Sequence, residues 1–327
     1  MPLLLAERDI RAVLPMADLI EAMESALVAF SRGDVTQPVR TVLEVGPDRA
    51  YFGLMPASLD HPPAVGAKLV TVYAKNHDRG LPSHLATIVL LDHATGAIAA
   101  LLDGRYITEA RTAAVSAVSL KLLARPDART LAILGSGVQA RSHLEAIRHV
   151  RDLGDVRVWS PSAQNRDTYA REMSASTGLK IRAAPSASEA VRGADLVVLA
   201  TSSRTPVVED GDIAAGTHIM AVGACRPDQR EMPTALIARA RLYVDSLQGA
   251  LQESGDILLP IAEKAITDTH IAGELGGLAG GAVAGRRSAD DVTIFKSLGM
   301  AVEDVVAARL AVERARASGR GQVFEVS

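Results

Sequence analysis

Residues 131–140 read Leu131-Ala132-Ile133-Leu134-Gly135-Ser136-Gly137-Val138-Gln139-Ala140. An apolar run ends in a glycine loop, and a helical pattern then leads towards Val150, so the stretch predicts a strand, a tight turn and a helix N-terminus. In that context GxGxxA has a physical meaning. The first glycine permits the turn, the second lets the backbone approach a pyrophosphate, and the small third residue allows close helix–strand packing. Free N–H groups at the helix start offer partial positive charge to phosphate. The loop therefore predicts a dinucleotide site lined by Gly135, Ser136, Gly137, Val138 and Gln139.

The next strand-like run, 156–159, ends where a ribose-reading acid is expected, about 20 residues after the glycines. The chain has Trp159-Ser160-Pro161-Ser162 there. The absence of an acid at Ser160 favours NADP(H), with NAD(H) a possible alternative. Arg166 reads equally as a phosphate contact and as a solvated helix residue. Strand-like runs at 130–134, 156–159, 181–183, 196–201, 218–222 and 242–244 alternate with helical stretches, which predicts an α/β fold with a Rossmann-type doubly wound parallel sheet.

Before this region the pattern is different. Leu19, Met23, Leu27 and Phe30 mark an amphipathic helix over 16–32, closed by Gly33. β-rich runs follow at 39–45, 51–55, 65–73, 85–91 and 97–102, the last two joined by the turn His93-Ala94-Thr95-Gly96, so a mainly antiparallel sheet is expected. A helix over 108–124 stops at Arg125-Pro126, placing a domain boundary near residue 125. The glycine-rich run 276–285 reads as a flexible connection into a strand over 292–295. A final helix over 300–318 lies beyond the doubly wound region and is able to pack back onto the first domain.

Composition excludes several function classes. With 35 basic and 38 acidic residues and no basic block, nucleic acid is not an expected partner. The single cysteine, Cys225, has no intrachain partner, and the eight histidines show no HExxH or Cys/His ligand spacing, so neither a disulfide nor a metal is expected. No apolar run approaches the roughly 20 residues that span a bilayer, and the apolar opening Met1 to Leu5 is too short for a secretory segment. A soluble, cytoplasmic protein without membrane contact is the expectation.

Several stretches resemble one known family: Thr108-Glu109-Ala110-Arg111-Thr112-Ala113-Ala114, the glycine loop, Ala221-Val222-Gly223-Ala224, Arg226-Pro227-Asp228 and Phe295-Lys296-Ser297-Leu298-Gly299-Met300-Ala301-Val302-Glu303-Asp304. Together they resemble the ornithine cyclodeaminase and mu-crystallin family over almost the whole chain. Tyr243-Val244-Asp245-Ser246 and Glu253-Ser254-Gly255-Asp256 resemble the ketimine reductase branch. The resemblance implies a homodimer, a substrate-binding and dimerisation domain of residues 1–125 completed by 300–327, and an NAD(P)-binding domain of residues 126–299. It also implies that Arg40, Lys68 and Arg111 hold a substrate carboxylate, with Lys68 and Arg111 catalytic. A guanidinium takes a carboxylate bidentately while lysine adds a mobile charge. Arg111 falls in the first turn of its predicted helix, where a cation opposes the macrodipole unless an anion lies nearby.

Thr112, Ser202, Val222 and Ser297 lie in or beside the matched motifs and are expected cofactor contacts. Cys225 is the departure. The resemblance implies an aspartate at this position in cyclodeaminases, managing protons on the substrate amine, and a thiol of ordinary pKa near 8.5 is a poor substitute. Cys225 is expected as a small apolar contact beside substrate and nicotinamide, and a loop shift bringing Asp228 into its place is the lesser alternative. His84, His93 and His218 match no catalytic motif and read as packing residues. What the resemblance implies is an NAD(P)H-dependent reductase of small cyclic ketimine carboxylates, such as 1-pyrroline-2-carboxylate giving L-proline. An ornithine cyclodeaminase, an alanine-type dehydrogenase and a non-enzymatic ligand-binding protein stay open as alternatives.

Overall fold

The computed structural model describes residues 1–48 and 50–325 and divides into two compact units, Met1–Arg111 with Gly299–Ser327, and Thr112–Leu298. The first unit opens with β1 (Leu3–Leu5), α1 (Glu7–Val13) and α2 (Met16–Arg32). On α2 the residues Leu19, Ile20, Met23, Ala26 and Leu27 are buried, the stripe that steps of three and four produce, and Gly33 ends the helix in the left-handed region at φ 84°. Next come β2 (Val35–Thr36), β3 (Thr41–Val45), β4 (Ala50–Asp60), β5 (Pro63–Val72), β6 (His84–Leu91) and β7 (Ile98–Asp103). The turn between β6 and β7 is held by Asp92 Oδ1, which accepts from the N–H groups of Ala94 and Thr95.

α3 (Gly104–Leu123) starts earlier than its apolar pattern predicts, because the Asp103 carboxylate accepts the Arg105 N–H and caps it. Arg111 is therefore well inside the helix and not in its first turn. The boundary also moves from residue 125 to Arg111/Thr112. The later turns of α3 belong to the second unit, where Ser116 Oγ meets His143 Nε2 at 2.9 Å and Ser119 Oγ meets His218 Nε2 at 3.1 Å. Contacts, not the end of a helix, define the unit.

The second unit continues through β8 (Thr130–Leu134), α4 (Val138–Arg148), β9 (Asp155–Trp159), α5 (Ala163–Thr177), β10 (Ile181–Ala183), α6 (Ala187–Val191), β11 (Leu196–Leu199) and β12 (His218–Ala221). It closes with α7 (Thr234–Arg239), β13 (Arg241–Val244), α8 (Leu247–Glu253), α9 (Gly255–Ala262), β14 (Ile271–Glu274), α10 (Leu275–Ala279) and β15 (Thr293–Lys296). The strands form one parallel sheet in the order β10-β9-β8-β11-β12-β15-β13-β14. Such short apolar strands suit a sheet covered by helices on both faces. The glycine-rich run is not a loose connection. Its first residues form α10, and a Cβ at Gly273 or Gly277 would come within 2.8 or 2.9 Å of Val283 Cγ2, so these glycines allow close approach.

The chain then returns to the first unit with α11 (Ala301–Ala317) and β16 (Gln322–Val323). The first sheet has the order β16-β1-β7-β6-β5-β4-β2, with β3 also on β4, and among the described residues only β1 and β7 pair in parallel. α11 packs against β4, β5 and α2. Met55, Lys68, Val70, Ile88 and Leu90 are buried on one sheet face, while Leu43, Leu54 and Leu85 stand exposed on the other. The fold class is α/β, as the strand and helix pattern predicts. Among the described residues no helix is long and apolar enough to cross a membrane.

Candidate functional site

In the second unit the strand order reverses between β8 and β11, and the glycine loop leaves β8 at that point. Gly135 has φ 115°, and a Cβ there would lie 2.4 Å from Ala200 O, so the position requires glycine. Gly137 caps α4, and a Cβ on it would meet nothing within 4 Å. Open space thus fronts a helix N-terminus at a topological switch point, and Val138 is exposed beside it. The cradle fits a pyrophosphate.

At the end of β9, Ser136 Oγ donates to Ser160 Oγ at 3.1 Å, and Arg166 Nη1 donates to Ser160 O at 3.3 Å. The structure brings these three expected residues together, with no acid among them. Along the same edge of the sheet, Val222 is buried, and its carbonyl accepts from the half-buried Cys225 Sγ at 3.4 Å. Asp228 is exposed and pairs with Arg204 at 3.1 Å, so it does not take the place of Cys225. Ser297 Oγ is committed to Asp245 Oδ2 at 3.1 Å, Thr112 is buried in α3, and Ser202 is exposed beyond β11.

In the first unit, β5 directs Lys68 towards the N-terminal turn of α11, where its Nζ meets Asp304 Oδ2 at 2.6 Å. Arg111 reaches the same turn, with Nε 3.0 Å from Asp304 Oδ1 and Nη1 2.6 Å from Glu303 Oε2. Arg40 Nη2 donates to Gly299 O at 3.1 Å. Glu303 and Asp304 are the anions near Arg111, which corrects the macrodipole reading. Their position in the first turn of α11 is itself favourable to negative charge.

Burial lowers the Lys68 ammonium from 10.5 to about 8, against the opposing pull of Asp304. Burial raises the Asp304 carboxyl, but Arg111 and Lys68 outweigh it and hold the group below the usual carboxylate range. Among Arg40, Lys68, Arg111, Glu303 and Asp304, positive charge exceeds negative by one. Nearby His84 is pushed down to about 4 by burial and by the two cations, so it stays neutral at working pH. His93 pairs with Asp60 at 3.2 Å on the surface, and His218 is locked between Ser119 and Thr293.

A model of the ornithine cyclodeaminase/mu-crystallin family matches residues 2–319. The chain belongs to this family. It is 42% identical over 295 residues to the ketimine reductase mu-crystallin of Mus musculus, covering 89% of this chain and 90% of that relative. To the Delta(1)-pyrroline-2-carboxylate reductase of Bacillus cereus it is 35% identical over 324 residues, 99% of each chain. Among solved structures, Thermococcus litoralis Delta(1)-pyrroline-2-carboxylate reductase in complex with NADH and L-proline superposes with a TM-score of 0.96 at 39% identity, covering 98% of this chain and 100% of that one.

Glu303 and Asp304 stand within a motif shared with the family, yet no role was expected of them from the sequence. A signal was present: two adjacent acids stand inside Ala301-Val302 and Val305-Val306-Ala307-Ala308, and acids in so apolar a run are buried and need cations. Asp256 and Lys296 stand in matched motifs and Glu231 just beyond one; all three are fully buried and were likewise given no site role.

Proposed function

We propose that this chain is an NAD(P)H-dependent reductase of 1-pyrroline-2-carboxylate and similar small cyclic ketimine carboxylates, giving L-proline from the five-membered ring. The observation that carries the reading is the clamp: Lys68 and Arg111 are buried on Glu303 and Asp304, half-buried Arg40 is anchored on Gly299 O, and these five side chains carry one positive charge in excess. That charge suits one carboxylate. The kinship with pyrroline-carboxylate and ketimine reductases supports the same substrate class.

When bound, a reduced nicotinamide dinucleotide supplies a hydride for the imine carbon. The protein supplies orientation and charge. Arg40 and Arg111 fix the carboxylate, and Lys68 Nζ, with its lowered pKa of about 8, holds a proton within the clamp for the substrate nitrogen. Gly135, Ser136, Gly137, Val138 and Gln139 cradle the pyrophosphate, while Val222 and Cys225 line the half of the sheet that takes the nicotinamide.

NADP(H) is the preferred cofactor in this reading, supported by Ser136, Ser160 and Arg166 and by the missing acid after β9. NADH in the Thermococcus litoralis neighbour supports NAD(H) as the alternative. The apolar sheet face carrying Leu43, Leu54 and Leu85 suits burial in a homodimer, and the single cysteine suits the cytoplasm.

The test is cofactor absorbance with cyclic imines, and ammonia release from ornithine with NAD. A reductase consumes reduced cofactor stoichiometrically with 1-pyrroline-2-carboxylate. Rapid ammonia release from ornithine without net cofactor change would identify a cyclodeaminase instead, and inactivity on every imine and keto acid would leave a binding protein.

A further inference from the structure

Glu231, Asp256 and Lys296 take no part in the clamp or the phosphate loop, yet all three are fully buried in the second unit. Glu231 Oε1 accepts from Thr201 N and Oγ1, each at 2.7 Å, and its Oε2 accepts from Gly223 N at 2.8 Å and Ala224 N at 3.2 Å. One carboxylate thereby ties the chain leaving β11 to the chain leaving β12. Asp256, at the start of α9, accepts from Glu231 N at 2.8 Å and Met232 N at 3.2 Å and faces Lys296 Nζ at 3.1 Å. Lys296, the last residue of β15, also donates to Ala224 O at 2.6 Å. The packing is tight. A Cβ at Gly223 would fall 2.0 Å from Thr201 O, and one at Gly255 would fall 2.1 Å from Gln229 O.

Two carboxylates here face one ammonium. Burial, helped by neighbouring Asp256, raises the Glu231 carboxyl, and Lys296 offsets only part of that rise. Three of its four donors are backbone N–H groups, which cannot reverse direction, and such donors favour the ionised acid. The cluster therefore keeps one net negative charge where solvent screens it poorly. It lies at the carboxyl edge of β11 and β12, the second half of the doubly wound sheet, which takes the second mononucleotide of a dinucleotide.

We propose that the Glu231–Asp256–Lys296 cluster discriminates between the oxidation states of the nicotinamide, favouring the cationic oxidised ring over the neutral reduced one. The inference rests on the cofactor reading above and deepens it. Loss of a hydride leaves the ring positively charged, so the same buried charge stabilises what develops as the hydride departs. The cluster acts as a fixed counter-charge and touches no reacting atom. At an effective dielectric near 20 and a separation of roughly 10 Å, removing one unit charge alters an affinity by about tenfold.

Calorimetric titration of the full chain with the reduced and oxidised forms of both dinucleotides tests this. Asp256→Asn removes one charge while its Oδ1 still accepts from Glu231 N and Met232 N, and Glu231→Gln removes the other charge but turns an amide N–H towards backbone donors. In each variant the Kd of the oxidised form should rise about tenfold relative to that of the reduced form. A purely structural role weakens both forms alike, and an unchanged ratio in a folded variant overturns the inference. If Glu231→Gln fails to fold, Asp256→Asn decides alone. Failure of the wild-type chain to bind any dinucleotide would sink the cofactor reading itself, whereas binding of both forms with an unchanged ratio would defeat only this proposal.

Discussion

Gly299 stands so close to Arg111 that a Cβ at position 299 would fall 2.4 Å from Nη1 and 2.7 Å from Nη2. Its φ of 80° also belongs to the region that glycine occupies freely. Two requirements thus meet at one residue, and its carbonyl further accepts from Arg40. The backbone entering α11 is part of the clamp wall.

Gly299→Ala should therefore destabilise the chain by about 2 kcal/mol through backbone strain and a displaced guanidinium. It should also raise KM for the imine. A thermal melt and steady-state kinetics check both, and an unchanged melting temperature would contradict the geometry.

Arg40→Ala offers a cleaner test of the clamp than removal of Arg111, which would strand Glu303 and Asp304 in the interior. Losing a charge-assisted contact of about 1.5–3 kcal/mol should lower kcat/KM for 1-pyrroline-2-carboxylate at least tenfold. Dinucleotide affinity should stay near that of the wild type. Near-normal kinetics would remove Arg40 from the site.

The pH profile should report Lys68. Its ammonium is charged below about 8 and neutral above, so kcat/KM should decline as pH rises through that value. Lys68→Arg keeps the charge at all accessible pH and should move the alkaline limb upward while lowering the rate. A limb at the same pH in both proteins would assign it to another group.

Ser160→Asp should turn cofactor preference towards NADH, because a carboxylate beside Arg166 repels a 2′-phosphate and accepts from a free ribose hydroxyl. Titration of both reduced cofactors into both proteins measures it. If the wild type binds NADH as tightly as NADPH, the reading of Ser160 is wrong.

Stability should fall on acidification before ordinary carboxylates titrate. Burial lowers His143 to about 4 and His218 to about 3, with Arg286 adding to the second, whereas unfolded imidazoles titrate near 6.5. Between about 6.5 and 4 the unfolded chain therefore binds more protons, and stability is lost as pH drops through that range. Glu109 and Glu231, raised by burial, oppose part of the loss. Unfolding free energies from urea titrations at pH 7.5 and pH 5 should differ by about 3 kcal/mol, and a flat profile would refute the account.

The doubly wound sheet was legible because most of its strands are short apolar runs and the glycine loop has one sterically sensible context, but β14, which reads Ile271-Ala272-Gly273-Glu274, carries no such signal and was not expected. The antiparallel strands were legible from alternation. β1 and β16 were not, since two or three residues carry no period and gain strand character only from β7 and from each other. The start of α3 was misplaced because Asp103 reads as a strand residue and acts as a cap. Arg40, Lys68 and Arg111 came from resemblance. Their acids, Glu303 and Asp304, were printed in the same motif, but a partner 192 residues away leaves no local trace.

That separation has a consequence for the order in which the protein comes into being. A ribosome makes Arg111 long before it makes Glu303, and all of the second unit, Thr112–Leu298, is synthesised in between. Through that interval the clamp cations exist without the acids they will face. A product that stops short of α11 would retain the whole nucleotide unit and nearly all of the first sheet, but none of the anions that gather Lys68 and Arg111. Competence towards substrate is thus withheld until α11 has been made, and chains cut before it should be inert towards the imine while still able to take up dinucleotide.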